Sequence, residues 1–125
     1  MKQLDVVTGY FPFWFGPKPN GESGKVRVGL VLKVVGDMAY VAPGHSNAVH
    51  RSHDDALWVG AGGSESLHKA TIFRVGRAYR FNVADLKKIG SLDLKGPGAA
   101  AGLRWFIPRA EAVFEAAKVG GKLEE

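Results

Sequence analysis

The sequence has 125 residues and no cysteine, an absence that excludes disulfide bonds, iron–sulfur clusters and zinc sites built from thiolates. It also lacks any apolar run approaching the roughly 20 residues of a membrane-spanning helix. The N-terminus has no charged segment followed by an apolar one, the pattern of a secretory signal. We therefore expect a cytoplasmic protein that makes no contact with a membrane.

Negative charge is scarce as well, because 12 Asp and Glu stand against 17 Lys and Arg and leave a formal charge of +5. Such a balance favours a polyanionic partner, either a nucleic acid or an acidic polypeptide. A hydrophobic content of 46% is enough for one core, so residues 1–125 are interpreted as a single domain.

The spacing of apolar residues predicts a mainly β fold. Short segments rich in Val, Ile, Phe and Tyr are separated by Gly, Pro and Asn, which is typical of strands joined by turns. Five or six such strands followed by one helix predict a small SH3-like barrel with a C-terminal α-helix over residues 108–119. Residues 95–102, which are mostly Gly and Ala, are interpreted as a linker.

The most informative stretch is residues 24–46, which predicts a β-hairpin. Its apolar run at residues 30–32 is typical of a strand that is buried on both faces. A second strand follows the turn and ends at a Pro-Gly pair. Because the open ends of paired strands lie side by side, we expect Arg27, His45 and Ser46 to lie close together.

Cationic and aromatic residues near the hairpin are candidates for binding a nucleic acid. The cations are Lys25, Lys69, Arg74 and Arg77. The last three belong to a basic run that either follows a phosphate backbone or forms a solvated face. Trp14 belongs to the aromatic segment 11–15, which either closes one end of the barrel or offers a ring on which a base stacks.

A metal site is the alternative use of the polar residues that follow the hairpin. Imidazoles and carboxylates that suit zinc, iron or nickel occur at His45, His50, His53, Asp54 and Asp55. Their spacing matches no metal-binding motif, so we interpret them as loop residues. We expect neither a metal nor another cofactor.

Several segments also resemble, in their order, the segments of a known family. Asp5-Val6-Val7, Phe11-Pro12-Phe13 and GKVRVGLVL at residues 24–32 are similar to an opening strand, a Pro-Phe segment and an Arg-Pro-x-Leu-Val-Leu strand. VAPGHS at residues 41–46 resembles a strand that ends in Thr-Ser, and residues 66–75 and 86–92 resemble a later segment that ends in Lys-Ile-Gly-x-Leu. These segments are those of the PemK/MazF toxin family, and the resemblance covers about residues 4–93.

The resemblance implies a homodimer that cleaves single-stranded RNA without a metal and is neutralised by an acidic antitoxin protein. Arg27 corresponds to the catalytic arginine of the family, which would hold the scissile phosphate and offset its developing charge. His45 stands where the family has a threonine, and Ser46 follows it. An imidazole there suits a general base on the ribose 2′-OH. Val28 replaces the proline that follows the family arginine.

Three functions therefore stay open at the level of the sequence. The first is an endoribonuclease that uses Arg27 with His45 or Ser46. The second is a catalytically silent relative that binds a protein such as an antitoxin or a topoisomerase, since the replaced threonine removes activity unless His45 substitutes for it. The third is an unrelated barrel that binds nucleic acid.

Overall fold

A computed structural model describes residues 1–61, 67, 69–94 and 96–121. Its strands are β1 (Asp5–Pro12), β2 (Gly24–Val35), β3 (Met38–His45), β4 (Ala56–Val59), β5 (Thr71–Arg74), β6 (Tyr79–Asn82), β7 (Lys87–Ser91) and β8 (Lys118–Val119). Its helices are α1 (Pro97–Phe106) and α2 (Ala110–Glu115), and short 3₁₀ segments cover Ala48–Ser52, Val83–Asp85 and Ile107–Arg109. Residues 66 and 68 of the segment 66–75, and residue 95 of the interpreted linker 95–102, lie outside the described residues.

The predicted mainly β fold with a C-terminal helix is confirmed. The strands follow the order β4-β5-β3-β2-β1-β7, and β6 pairs with β3 while β8 pairs with β6. All pairs are antiparallel except β6 with β8. The sheet has eight strands instead of five or six, and within the described residues it is not closed into a barrel, because β4, β7 and β8 each pair with one neighbour only. No described helix has the length and apolarity needed to traverse a bilayer.

Alternation along the central strands explains why the sheet is buried on both faces. Val6, Leu30 and Ala42 pack into one core beneath the helices. Their chain neighbours Val7, Val31 and Val41 pack into a second core with Phe11, Tyr79 and Phe81. Successive side chains of a strand point to opposite faces, so each strand supplies both cores. The prediction that residues 30–32 are buried on both faces is confirmed, because all three are at most 4% exposed.

The predicted bounds of the C-terminal helix are wrong. The helical segment begins at Pro97 and ends at Glu115, so it occupies most of the interpreted linker, and Pro108 lies inside it at the 3₁₀ turn between α1 and α2. Residues 118–119 form β8 instead of the end of a helix. The small residues that suggested a linker have a packing role, because Gly98 and Gly102 let α1 approach β4 closely.

Candidate functional site

The hairpin of β2 and β3 positions Arg27 and His45. Gly29 pairs with Pro43, and continuing this register by two residues places Arg27 opposite His45. The side chains meet across the strand ends, with Arg27 Nη1 3.3 Å from His45 Nδ1. Arg27 makes no ion pair with an acidic residue in the described part of the chain. The predicted convergence of the guanidinium and the imidazole is therefore present in the fold.

The pair lies between two surface clefts, both of which Arg27 and His45 line. The Trp14 cleft has a volume of about 310 Å³, and its other walls include Phe13, Trp14, Phe15, Lys18, His50, Arg77 and Tyr79. The Lys25 cleft has a volume of about 370 Å³, and its other walls include Lys25, Ser46, Lys69 and Thr71. Among the described residues, no Asp or Glu lines either cleft, so their combined surface carries only positive charge.

The proton arrangement on His45 follows from its partner. A guanidinium has only donors, so His45 Nδ1 must accept from Arg27 and the ring proton must reside on Nε2. Nε2 is buried and makes no hydrogen bond to any described residue. Burial, followed by the charges of His50, Arg27, Arg74 and Arg77, lowers the pKa of His45 from 6.5 to about 3. His45 is therefore a neutral imidazole at physiological pH.

His50, on the 3₁₀ helix Ala48–Ser52, covers one face of the His45 ring. Its ring stacks on the ring of His45 with 4.0 Å between centroids and an interplanar angle of 20°. Asn47 caps this short helix by accepting from the Val49 amide, which sets where the helix begins. Burial, together with the charges of Arg74 and Arg77, lowers the pKa of His50 as well. Two neutral imidazoles thus lie face to face.

The Trp14 cleft joins aromatic rings to a cation. The guanidinium of Arg77 lies 5.0 Å from the ring centroid of Phe15 and 5.9 Å from that of Trp14. Trp14 packs edge-on against Tyr79 at 5.6 Å, while Phe15 is 87% exposed. Burial raises the pKa of Tyr79 to about 12, and its hydroxyl donates to the carbonyl of Pro12 at 2.6 Å. Tyr79 is therefore a protonated structural group in the cleft wall.

Most of the predicted site residues line one of the two clefts. Lys25, Ser46 and Lys69 are exposed and lie in the Lys25 cleft, whereas Trp14 and Arg77 lie in the Trp14 cleft. This division was not visible in the sequence, in which the two residues of the Trp14 cleft lie on either side of the three residues of the Lys25 cleft.

Arg74 is the exception, and its interpretation as a cation on a substrate-binding face is wrong. Its side chain is 7% exposed, and Nε lies 2.9 Å from Oδ1 of Asp55, which is equally buried. The strand β5 that carries Arg74 lies between β4 and β3, and all four of its residues are buried. A buried guanidinium with a carboxylate partner does not present its charge to a solvated polyanion.

Sequence reasoning also missed the roles of His50 and Asp55, which it considered only as members of a metal set. Among the described residues, no group of three or more His, Asp and Glu is arranged to hold a metal ion. His50 Nδ1 instead accepts from Arg74 Nη1 at 3.3 Å. No sequence signal identified these roles, because the register that places Ala56, beside Asp55, opposite Arg74 is known only from the fold.

Comparison with known proteins adds no family assignment to this geometry. No protein-family model matches the chain, and no curated protein matches it.

Proposed function

We propose that this protein is an endoribonuclease that binds single-stranded RNA across the two clefts and cleaves it at Arg27 and His45 without a metal. The observation that supports this proposal most directly is the 3.3 Å contact between Arg27 Nη1 and His45 Nδ1 at the boundary of the clefts. A phosphate bound there would contact a guanidinium and an imidazole at once. A guanidinium can stabilise the charge that develops on a reacting phosphate. An imidazole can accept a proton from the attacking hydroxyl.

The charge and shape of the clefts suit a single strand with unpaired bases. The cations Lys18, Lys25, Arg27, Lys69 and Arg77 line the two clefts, and no acidic residue of the described chain lines either of them. These cations match a backbone with one negative charge per nucleotide. Trp14 and Phe15 offer aromatic surface on which an unpaired base can stack, whereas a base inside a duplex has both faces covered by its neighbours.

The chemical step requires only groups of the chain and the RNA itself. The ribose 2′-oxygen forms a bond to the adjacent phosphorus while the bond from phosphorus to the 5′-oxygen breaks, which leaves a 2′,3′-cyclic phosphate and a 5′-hydroxyl. His45 accepts the 2′-OH proton, and water supplies a proton to the leaving oxygen. Arg27 donates to the phosphate oxygens and offsets their growing charge. Ser46 adds a hydroxyl donor at the edge of the Lys25 cleft.

In this scheme the substrate must first separate Arg27 from His45. In the free protein Arg27 donates to the only lone pair on the His45 ring, which is the one a general base uses. A phosphate competes for the guanidinium because charge-assisted hydrogen bonds to an anion are stronger than those to a neutral ring. The incoming negative charge also raises the proton affinity of His45.

Binding of RNA without cleavage is the second candidate, and the state of His45 favours it. An imidazole whose pKa is about 3 is a weak base near neutral pH. If bound phosphate does not restore its basicity, the same clefts hold RNA and leave it intact.

Incubation with a long unstructured RNA distinguishes the two candidates. We expect the wild-type protein to produce new 5′-hydroxyl ends in the presence of a chelator, and Arg27→Ala and His45→Ala to produce none. Arg80→Ala is the matched control, because Arg80 is exposed on β6, away from both clefts. Single-stranded DNA of the same sequence should bind and stay uncut, because it lacks the 2′-OH.

Two results would contradict cleavage at this site. If the wild-type protein binds RNA but leaves it intact, the binding function stands alone. If cleavage persists in Arg27→Ala, the reaction occurs elsewhere or comes from a contaminant. Circular dichroism of each variant confirms that a loss of cleavage is not a loss of fold.

The partners and compartment implied by the resemblance belong to the same proposal. An acidic antitoxin tail would occupy the cationic clefts and compete with RNA, and the active form would be a homodimer in the cytoplasm. Size-exclusion chromatography with light scattering tests the dimer. Displacement of a labelled RNA by an acidic peptide tests whether polypeptide and RNA share the clefts.

A further inference from the structure

A chain of contacts leads from Asp55, which is buried behind the site, through Arg74 to His50. Asp55 accepts at Oδ1 from Arg74 Nε and at Oδ2 from the Gly76 amide, each at 2.9 Å. Arg74 Nη1 then donates to His50 Nδ1 at 3.3 Å, and the His50 ring stacks on His45 at 4.0 Å. Each contact uses a different atom, so all of them form together.

We propose that Arg74 is a positioning residue: held by Asp55, it fixes the ring of His50 against His45 and so keeps His45 Nδ1 directed at Arg27. The inference rests on the proposed function, because it assigns the consequence of that geometry to RNA cleavage. Arg74 itself lines neither cleft and reaches the Trp14 cleft only through His50.

The shape of the guanidinium is what this role requires. Nε and Nη1 of one planar group point to two partners, Asp55 and His50, in a fixed relation. A lysine ammonium at this position would keep the charge, but its single nitrogen lacks the fork that spans both partners. A purely electrostatic effect on His45 would survive that change, whereas positioning would not.

The charged and titratable groups that face His45 come from four parts of the fold. They are Arg27 on β2, His50 on the first 3₁₀ helix, Arg74 on β5 and Arg77 in the turn that follows it. Arg74→Lys leaves all of these charges in place. A change in the titration of His45 in this variant therefore reports geometry instead of net charge.

Arg74→Lys and His50→Ala test the proposal, with Arg80→Lys as the matched control on the exposed face of β6. We expect kcat for a short RNA to fall about 10- to 100-fold in Arg74→Lys with KM unchanged, because a misplaced base slows chemistry without weakening binding. NMR titration of His45 in the free protein should show a raised pKa in both site variants. Arg80→Lys should match the wild type in both measurements.

The proposal is overturned if Arg74→Lys matches the wild type in kcat and in the His45 titration, since charge alone then suffices. If Arg74→Lys fails to fold, His50→Ala decides, because His50 is only half-buried on a short surface helix. Unchanged kcat and unchanged His45 titration in His50→Ala would also overturn it. The titration needs no RNA, so absence of cleavage by the wild type refutes the proposed function while the positioning contacts are still tested.

Discussion

At the scale of single residues, the chemistry of the site depends on which nitrogen of His45 carries the proton. Arg27 occupies Nδ1 and the stacked ring of His50 covers one face, so the free protein stabilises the neutral imidazole. The predicted pairing of Arg27 with His45 needed only the hairpin register. The protonation state of His45 could not be predicted in this way, because it depends on burial and on three further neighbours, His50, Arg74 and Arg77. Arg77 lies 32 residues further along the chain than His45.

This state of His45 makes the stability of the protein depend on pH. The pKa of His45 is 6.5 without its surroundings and about 3 in the fold, because burial and the adjacent charges disfavour the imidazolium. Between these values the unfolded chain binds a proton that the folded protein does not. We therefore expect the free energy of unfolding to decrease as the pH falls from about 6.5 to about 3.

Urea unfolding at several pH values in this range measures the effect in wild type and in His45→Gln. The variant should lose less stability on acidification, because its side chain does not titrate. His53→Gln is the control, since His53 is exposed beyond His50. Equal pH slopes for wild type and His45→Gln would contradict a buried neutral His45.

At the scale of elements, the misinterpreted linker shows how packing overrides a local signal. Gly and Ala in residues 96–102 suggested a turn, yet α1 begins at Pro97, whose fixed φ suits the first helical position. Gly102 faces the backbone of β4, where a Cβ would lie 2.8 Å from Leu57 Cα. Gly98 and Gly102 are therefore required because the helix touches β4 at these two positions, a reason that no local pattern reveals.

Gly102→Ala tests this interpretation through the sign of its effect. Replacing glycine by alanine inside a helix ordinarily adds about 1 kcal/mol of stability. Here we expect a loss instead, because the new methyl group would meet Leu57 and the Ala56 carbonyl at 2.8 to 2.9 Å. Thermal and urea unfolding measure it, with Ala101→Gly on the exposed side as a reference for helix propensity alone. A gain in stability would contradict close packing of α1 on β4.

The N-terminal strand has a polar anchor that the sequence also left unnoticed. Asp5 is fully buried, and its carboxylate accepts from the Lys2 amide at 2.8 Å and from Lys88 Nζ and Ser91 Oγ at 3.3 Å each. Burial by itself would raise the pKa of Asp5, but the hydrogen bonds from Lys2, Lys88 and Ser91 outweigh it and lower the pKa. The anchor ties β1 to β7, an edge strand of the sheet.

Asp5→Asn should therefore destabilise the fold by about 1 to 3 kcal/mol, because an amide presents donors where the carboxylate accepted and leaves buried groups unpaired. Chemical unfolding near neutral pH measures the loss. Asp37→Asn, in the exposed turn between β2 and β3, is the matched control and should change stability little. A neutral effect of Asp5→Asn would show that these contacts add nothing to stability.

At the scale of the whole molecule, part of the positive charge lies in two adjoining clefts. The net charge is +5, and no acidic residue of the described chain lines either cleft. The composition already favoured a polyanion, but basic residues also occur far from the clefts, as at Lys33 and Arg80. Folding selects which of the cations act together. Arg74, close to Arg77 in the chain, is removed from that set by burial.

The salt dependence of RNA binding measures how many phosphates these cations neutralise. If three to five phosphates are neutralised, the logarithm of the binding constant should fall with the logarithm of salt concentration with a slope of about −2 to −3.5. Arg27→Ala should reduce the magnitude of the slope by about 0.7, and Arg80→Ala should leave it unchanged. Fluorescence anisotropy of a labelled single strand measures both, and a slope near zero would contradict phosphate binding.

The sequence by itself determined the β class, the hairpin and the meeting of Arg27 with His45, because alternation of apolar residues and one turn specify strand pairing locally. Only the tertiary structure decided that the sheet formed by the described residues stays open, that α1 begins at Pro97, and that Arg74 contacts Asp55 and His50 instead of lying on the surface. Those outcomes depend on which distant segments exclude water from one another. Burial sets the charge state and the partners of a side chain, and burial is a property of the assembled fold.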